Sequence, residues 1–163
     1  MRITIRPLYY YLFGFSLFLL GTSFVLQFHF HLQPCPLCII DRVLVFILTL
    51  FFIIAIMHNP QPRGQKIYSL IGFSIALLGI CSAIRHLWII HLPPEQVPAC
   101  GPGIQYLFGT FPPHEAIMLV LQGSGECYSD KSNLFGISLP AWTLLGFMML
   151  AIGSLLPWWG SKK

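Results

Sequence analysis

Four long stretches of the chain are apolar and nearly free of charge. They cover residues 8–28, 38–57, 67–90 and 139–159. About 20 residues of α-helix, each rising ~1.5 Å, cross the ~30 Å hydrocarbon core of a bilayer. The pattern therefore predicts an all-α membrane protein built as a bundle of four transmembrane helices.

The second stretch needs its polar start to reach that length. Its uncharged part, Val43 to Met57, is short for a crossing, whereas a helix that begins near Cys38 is long enough. Such a helix includes Asp41 and Arg42, which we expect at the membrane interface.

The first stretch shares one feature with a secretory signal peptide. Arg2 and Arg6 precede it as a basic region would. It is longer than the apolar region of such a peptide, however, and no small-residue cleavage site precedes His29. We therefore predict a helix that is retained in the protein.

Prolines and glycines mark the ends of these segments. Two prolines and a glycine within residues 58–64 predict a turn between the second and third helices, and Pro93 with Pro94 ends the third. Two loops, at about residues 29–37 and 91–138, then lie on the opposite side of the bundle from this turn.

The composition is that of a membrane protein. Only 9% of the 163 residues are charged and 56% are hydrophobic, with a mean hydropathy of +0.75. A soluble domain of this size needs more charge on its surface, so the apolar excess must face lipid. We predict a single domain over residues 1–163 and no nucleic-acid partner, despite the net charge of +4.

Basic residues are concentrated on one side of the predicted bundle. If the helices alternate in direction, the side with both termini and the turn holds six of the nine basic residues and none of the five acids. Because excess Lys and Arg mark cytoplasmic segments, we expect cytoplasmic termini and external loops. Four of the five cysteines then face an oxidising compartment. The six basic residues are Arg2, Arg6, Arg63, Lys66, Lys162 and Lys163.

Cys35-Pro36-Leu37-Cys38 is a C-x-x-C motif at the outer start of the second helix. A disulfide across two residues closes too small a loop to stabilise the fold much, so a redox role is favoured. The helix dipole and Arg42, one turn further on, both favour a thiolate at Cys38, and the thiolate is the reactive form.

Zinc sites and haem attachment use the same spacing. Attachment of c-type haem needs a histidine at position 39, which is Ile39. A zinc site needs a second close pair of ligands, whereas Cys100 and Cys127 are separated by 26 residues. We therefore predict no metal site. The fifth cysteine, Cys81, is interpreted as a small buried apolar residue of the third helix.

Cys100 and Cys127 lie among the glycines and prolines of the longer loop, where another protein can reach them. The four external cysteines allow three pairings, and proximity favours Cys35 with Cys38, which leaves the loop pair. The alternative is a scaffold in which disulfides only brace the loops. An amphipathic piece of the same loop, residues 113–121, is predicted to lie along the membrane surface.

The chain resembles the DsbB family of disulfide-forming membrane proteins over nearly its whole length. The resemblance rests on four spans, on a C-x-x-C followed by Ile-Ile-Asp-Arg, and on an external cysteine pair in the longer loop. In bacteria a DsbA–DsbB–quinone system keeps the periplasm oxidising. The resemblance thus implies an inner-membrane oxidoreductase with a periplasmic, DsbA-like thioredoxin-fold partner. Its most specific pieces are residues 35–42, 82–85, 123–127 and 135–142.

The resemblance also implies a relay of electrons. The reactive cysteine of the partner attacks Cys100 in a Cys100–Cys127 disulfide, and the released thiols reduce a Cys35–Cys38 disulfide through an intermediate that joins Cys35 to Cys100. Cys38 then passes two electrons to ubiquinone or menaquinone. Arg42 is expected to favour the thiolate and to polarise the quinone carbonyl, although a cation that snorkels to the interface is the simpler alternative.

Two further residues are candidates for the quinone site. Arg85 lies near the outer end of the third helix, where it either borders the same pocket or orients Asp41. The family has a histidine just beyond this helix. That position aligns near Pro93, where the available histidines are His86 and His91, and His91 is taken as the candidate.

Three other functions are open to such a sequence. One is a thiol enzyme of the vitamin K epoxide reductase type, whose C-x-x-C stands later in the chain. The second is a non-enzymatic membrane protein with structural disulfides. The third is a di-haem electron carrier, which a Soret band would reveal. Its ligands would come from His29, His58, His86 and His91.

Overall fold

Four long α-helices dominate the computed structural model, which describes residues 6–29, 35–96, 106, 109–122, 133–134 and 137–160. All four are long and apolar enough to cross a membrane. The predicted four-helix membrane bundle is therefore confirmed, and the chain is a multi-pass membrane protein. The helices are α1 (Arg6–His29), α2 (Pro36–His58), α3 (Pro62–Ile90) and, after a shorter α4 (Pro113–Gln122), α5 (Leu139–Gly160).

The turn between α2 and α3 is shorter than predicted. The sequence predicts a break over residues 58–64, but only three residues separate the two helices. Asn59 ends α2 in the left-handed conformation, with φ 41° and ψ 62°, and its N–H donates to the Ala55 carbonyl. Pro62 begins α3, where its missing N–H costs no hydrogen bond and its fixed φ suits the first helical position.

The four spanning helices form a closed ring in which α1 packs on α2, α2 on α3, α3 on α5, and α5 back on α1. The α3–α5 interface is the most extensive, and a small residue makes it close. A Cβ at Gly79 of α3 would overlap the buried ring of Phe147 in α5. Gly153 of α5 receives Leu12 of α1 in the same way.

Hydrogen bonds between helices supplement this apolar core. Thr49 of α2 donates to Ser16 Oγ of α1 at 3.0 Å, and Ser69 of α3 donates to the Ser154 carbonyl of α5. All of these side chains are buried. Small hydroxyl residues are favoured at such interfaces, because lipid offers them no other partner. The buried apolar core consists of Tyr9, Leu12, Leu20, Val45, Leu48, Phe52, Ala55, Ala76, Phe147, Leu150 and Ala151.

The outward faces of the helices are apolar as well, as lipid contact requires. Cys81 lies on this surface, and the prediction that it is buried is wrong. It shares a stripe of α3 with Leu77, Leu78 and Ile84, all of which are exposed. A thiol is apolar enough to face hydrocarbon, so the sequence alone could not separate a lipid-facing cysteine from a core cysteine.

The two ends of the bundle differ in what they carry. At one end Lys66, just after the α2–α3 turn, places its Nζ 5.9 Å from the ring centroid of Trp158 near the end of α5. The start of α2 and the end of α3 lie at the opposite end, together with the C-x-x-C. The predicted alternation of the helices is therefore present in the fold.

Short elements lie at the cysteine end. A 3-10 turn, Pro94–Gln96, follows α3, and the predicted amphipathic piece forms α4, whose Val120 packs on Ile40 of α2. Two antiparallel strands of two residues each, Asn133–Leu134 and Ile137–Ser138, directly precede α5. They are a small addition to an otherwise helical fold.

Candidate active site

Cys35 is the N-cap of α2. Its backbone is extended, with φ −68° and ψ 162°, and its Sγ accepts a hydrogen bond from the Cys38 N–H at 3.4 Å. Pro36 occupies the first turn, where a missing N–H is tolerated. The motif thus starts the helix itself, since one cysteine caps the amide of the other.

The two sulfur atoms of the motif lie 3.3 Å apart. Cys35 is buried and Cys38 is half-buried. An S–S bond is ~2.05 Å long, so the sulfurs have to approach by little more than about an ångström to form one. The pair is therefore geometrically able to alternate between dithiol and disulfide.

His86 of α3 contacts both sulfurs. Its Nε2 lies 3.6 Å from Cys35 Sγ, and its Nδ1 lies 3.9 Å from Cys38 Sγ. The imidazole is completely buried, at 0% exposure. The sequence offers His86 only as a haem ligand or as one of two histidines near the quinone position, and does not predict its contact with the two cysteines.

One property of the sequence does point to His86, namely that Cys38 and His86 lie at similar distances from the same end of the bundle. Cys38 lies two residues inside the start of α2 and His86 lies four residues before the end of α3. Both therefore lie within about 6 Å of the same end of two antiparallel helices, at ~1.5 Å per residue. Whether the two side chains meet depends also on helix rotation, which depth does not give.

Asp41 adds a carboxylate to the same region. It is 5% exposed and lies close enough to Ser82 and His86 to interact with both. Among the described residues, none gives its Oδ1 a hydrogen bond of good geometry. A buried polar atom of this kind calls for a partner, so one carboxylate oxygen is available to a group that enters the site.

The side chains packed around the two cysteines include several apolar residues. Leu37 and Ile89 are fully buried beside Cys35, and Ile40 and Leu92 pack against them. Electrostatic interactions among the cysteines, the imidazole and the carboxylate are consequently stronger here than in water.

The guanidinium of Arg42, predicted to act on Cys38, is held against α1. It donates to Gln27 Oε1 and to the Ser23 carbonyl, the latter at 3.3 Å, and lies 5.7 Å from the ring centroid of Phe24. No carboxylate of the described residues pairs with it. Arg42 thus links the outer ends of α1 and α2, and its effect on Cys38 stays a prediction.

The other two candidates for the quinone site lie at the end of α3. Arg85 places its guanidinium 5.5 Å from the ring centroid of Trp88. His91 is the C-cap of α3 and is exposed, with its Nδ1 2.7 Å from the Leu87 carbonyl of its own helix. Both lie at the cysteine end of the bundle, and their roles also stay predictions.

Cys100 and Cys127 fall outside the described residues, so their predicted pairing and their place in the relay stay predictions. Within the described residues, the groups able to hold a soft cation are the sulfurs of Cys35 and Cys38 and an imidazole nitrogen of His86, which all lie within 4.8 Å of one another. The geometry of the site is therefore compatible with two kinds of chemistry, namely thiol–disulfide exchange and the binding of a metal ion.

Comparison with known proteins finds relatives that match most of the chain. The family model described as "Disulfide bond formation protein DsbB" matches residues 5–156. The "Disulfide bond formation protein B" of Methylococcus capsulatus is 41% identical over 93% of this chain and 92% of its own length. That of Nitrosococcus oceani is 41% identical over 95% and 92%, and that of Chromohalobacter salexigens is 42% identical over 82% and 78%.

Proposed function

The chain belongs to the DsbB family of disulfide bond formation proteins, and from this premise we propose that it is a thiol oxidase that reoxidises a DsbA-like protein and reduces a membrane quinone. Membership of the family supports a disulfide oxidoreductase. The partner, the quinone and the order of steps are our proposal.

The observation that carries the proposal is the contact between the two sulfurs of Cys35 and Cys38 at a helix start, 3.3 Å apart and beside a buried imidazole. A pair used only as a structural brace does not need a histidine against both sulfurs. A pair that cycles between two states does, because each reduction leaves sulfur charge that needs a hydrogen-bond donor.

Each step of the proposed relay conserves electrons and protons. The dithiol of the partner reduces the Cys100–Cys127 disulfide, which yields the partner's disulfide and two thiols. Those thiols reduce the Cys35–Cys38 disulfide and become a disulfide again. The Cys35–Cys38 dithiol then loses two electrons and two protons to the acceptor and closes.

The two motif cysteines differ in position and in exposure. Cys35 is the N-cap and is the nearer of the two, in sequence, to the loop that precedes α2, which suits exchange with a loop thiol; at 3% exposure, the groups that cover it must move first. Cys38 lies inside the helix and is the more exposed of the two, which suits transfer to an acceptor.

The residues around Arg42 suit a quinone. A quinone is neutral, flat and lipid-soluble, and when bound it accepts two electrons and two protons. Phe24 offers an aromatic face, and Arg42, one turn from Cys38, offers donors without a paired carboxylate among the described residues. Arg42 would hold a carbonyl oxygen by hydrogen bonding, while Arg85 and His91 are the further candidates at this end.

The charge distribution supports an orientation in the bacterial inner membrane. The end that holds Lys66 and Trp158 also holds the excess of basic residues, and such excess marks the cytoplasmic side. The cysteine end is then periplasmic, where a DsbA-like protein can reach it.

Anaerobic mixing of the purified protein with a reduced DsbA-like partner and ubiquinone tests the proposal. Quinone absorbance and partner thiols are followed together. We expect quinol to form in step with the loss of partner thiols, and a Cys81→Ser variant, altered on the lipid face, to behave as the parent. No turnover with intact disulfides would instead indicate a structural membrane protein.

A further inference from the structure

We propose that Cys35, Cys38 and His86 form a binding site for a thiophilic divalent cation, with Zn²⁺ as the probe, and that the site exists only while the cysteine pair is reduced. This inference needs the reduced pair but does not depend on the identity of the partner or of the electron acceptor.

The spacing of the three ligands is close to what zinc requires. Zn–S bonds of ~2.3 Å and Zn–N bonds of ~2.0–2.1 Å at tetrahedral angles place two sulfurs ~3.8 Å apart and a sulfur ~3.5 Å from a nitrogen. The Cys35 and Cys38 sulfurs are 3.3 Å apart, and Cys35 Sγ lies 3.6 Å from His86 Nε2. The nitrogen nearer to Cys38 Sγ is Nδ1, at 3.9 Å, whereas one nitrogen must serve both sulfurs. Since the three ligand atoms lie within 4.8 Å of one another, shifts of up to about an ångström enclose an ion.

The sequence predicts no metal site because it has no second close pair of cysteines, but the fold adds His86 from α3 to the C-x-x-C and so completes a donor set that zinc uses. Two thiolates and one imidazole, with a fourth position left open, is the arrangement of catalytic zinc sites. Here the half-buried side of Cys38 leaves room for that fourth ligand. Buried Cys35 and His86, which lie on different helices, are held in place by packing and do not have to be ordered when the ion binds.

The buried carboxylate of Asp41 is a second feature that favours a cation at this site. Metal-bound histidines commonly pass their other N–H to a carboxylate, which fixes the ring and strengthens the ligand. Asp41 is buried and close enough to His86 for an electrostatic interaction, and its Oδ1 has no well-formed hydrogen bond among the described residues. Its negative charge also favours a cation in an apolar surrounding.

Binding at this site depends on the redox state. Two thiols bind the ion as thiolates and release two protons, whereas the sulfurs of a disulfide are poor ligands. A bound ion holds both sulfurs, so it competes with closure of the disulfide. The cation would therefore act as a brake on reoxidation when the pair accumulates in its reduced form.

The test measures binding rather than turnover. The full chain carrying Cys100→Ser and Cys127→Ser, reduced and in detergent, is titrated with Zn²⁺ against a chromophoric chelator. Co²⁺ is used in parallel, because thiolate coordination gives it a charge-transfer band. We expect one ion per chain for the reduced protein and none for the oxidised protein.

Substitutions on this background identify the ligands. Removing a group that merely supports a ligand costs about 10–100-fold in metal affinity, so His86→Ala, which removes a ligand, should cost at least about 100-fold. Cys81→Ser is the matched thiol control, and His58→Ala, at the opposite end of α2, is the matched histidine control. Both should bind as the background does.

The variant His86→Cys distinguishes the loss of a metal ligand from a loss of folding. It replaces the imidazole by a thiolate and should keep the ion while intensifying the Co²⁺ charge-transfer band. Equal affinity for His86→Ala and the background, binding that persists after oxidation, or no binding at all would each overturn the proposal. None of these results depends on a partner or a quinone, so they leave the proposed oxidase to be judged by its own experiment.

Discussion

His86 Nε2 lies 3.6 Å from Cys35 Sγ, although the two residues are 51 positions apart in the chain. The contact joins the start of α2 to the last turn of α3 at the end of the bundle that carries the redox motif.

The relay separates the cysteines by role. We expect Cys38→Ser to block quinol formation while a disulfide-linked complex with the partner still forms, because attack on the loop pair precedes the step that needs Cys38. We expect Cys100→Ser to lose partner oxidation altogether. Non-reducing gels and quinone absorbance measure the two steps. Turnover stops in both variants, so the disulfide-linked complex distinguishes them, and a complex that forms equally in both or in neither would contradict the relay.

Arg42 is predicted to bind the quinone rather than to maintain the fold. Hydrogen bonds from charged groups contribute about 1.5–3 kcal/mol, so Arg42→Met should raise the KM for ubiquinone roughly 10-fold or more. The KM for the partner should not change. Arg63→Met, at the opposite end of the bundle, is the matched control. If both variants raised the KM for ubiquinone equally, the effect would come from the loss of a positive charge and not from the position of Arg42.

The contact between Gly79 and Phe147 predicts a stability defect that is independent of the active site. A Cβ at position 79 overlaps a ring with 0% exposure that has nowhere to move. Gly79→Ala should therefore lower stability by about 1–3 kcal/mol, as overpacking does. In Gly21→Ala the new Cβ meets nothing within 4 Å. Thermal denaturation in detergent should distinguish the two, and equal midpoints would mean that α3 and α5 are less closely packed.

The orientation can be tested with two exposed positions at opposite ends of the bundle. Gln61→Cys lies before α3 and Glu95→Cys lies in the 3-10 turn after it. In a Cys81→Ser background on intact cells, a membrane-impermeant maleimide should label position 95 and reach position 61 only after lysis. Native cysteines are blocked beforehand by oxidation. The reverse pattern would place the C-x-x-C in the cytoplasm.

The sequence predicts the helices well, because a span is defined by a continuous apolar run whose length the bilayer dictates. All four predicted spans are present, each extended by one to five residues at one or both ends. The limits of α3 were the hardest to predict. Taken alone, Pro62 and Gly64 suggest a turn. Pro62 nevertheless fits the first position of a helix, and Gly64 lies in the first turn of α3.

The site was harder to predict than the fold. The C-x-x-C is readable because its members are neighbours in sequence. The contacts of His86 and Arg42 depend instead on how α3 and α1 rotate about their own axes. An apolar helix in lipid has little amphipathic pattern from which that rotation can be inferred, since both its core face and its lipid face are apolar. Cys81 was assigned to the core for the same reason.

The three-residue turn at the far end of α2 and α3 has a consequence for how the chain tolerates changes in length. Cys38 and His86 meet only because the residues between them bring both side chains to the same height and angle. One residue inserted or deleted within either helix turns everything beyond it by ~100° and shifts it by ~1.5 Å. With so short a connection there is no slack to absorb the error. A single insertion in the middle of α3, among residues that touch no sulfur, should therefore separate the histidine from the cysteines as completely as replacing it.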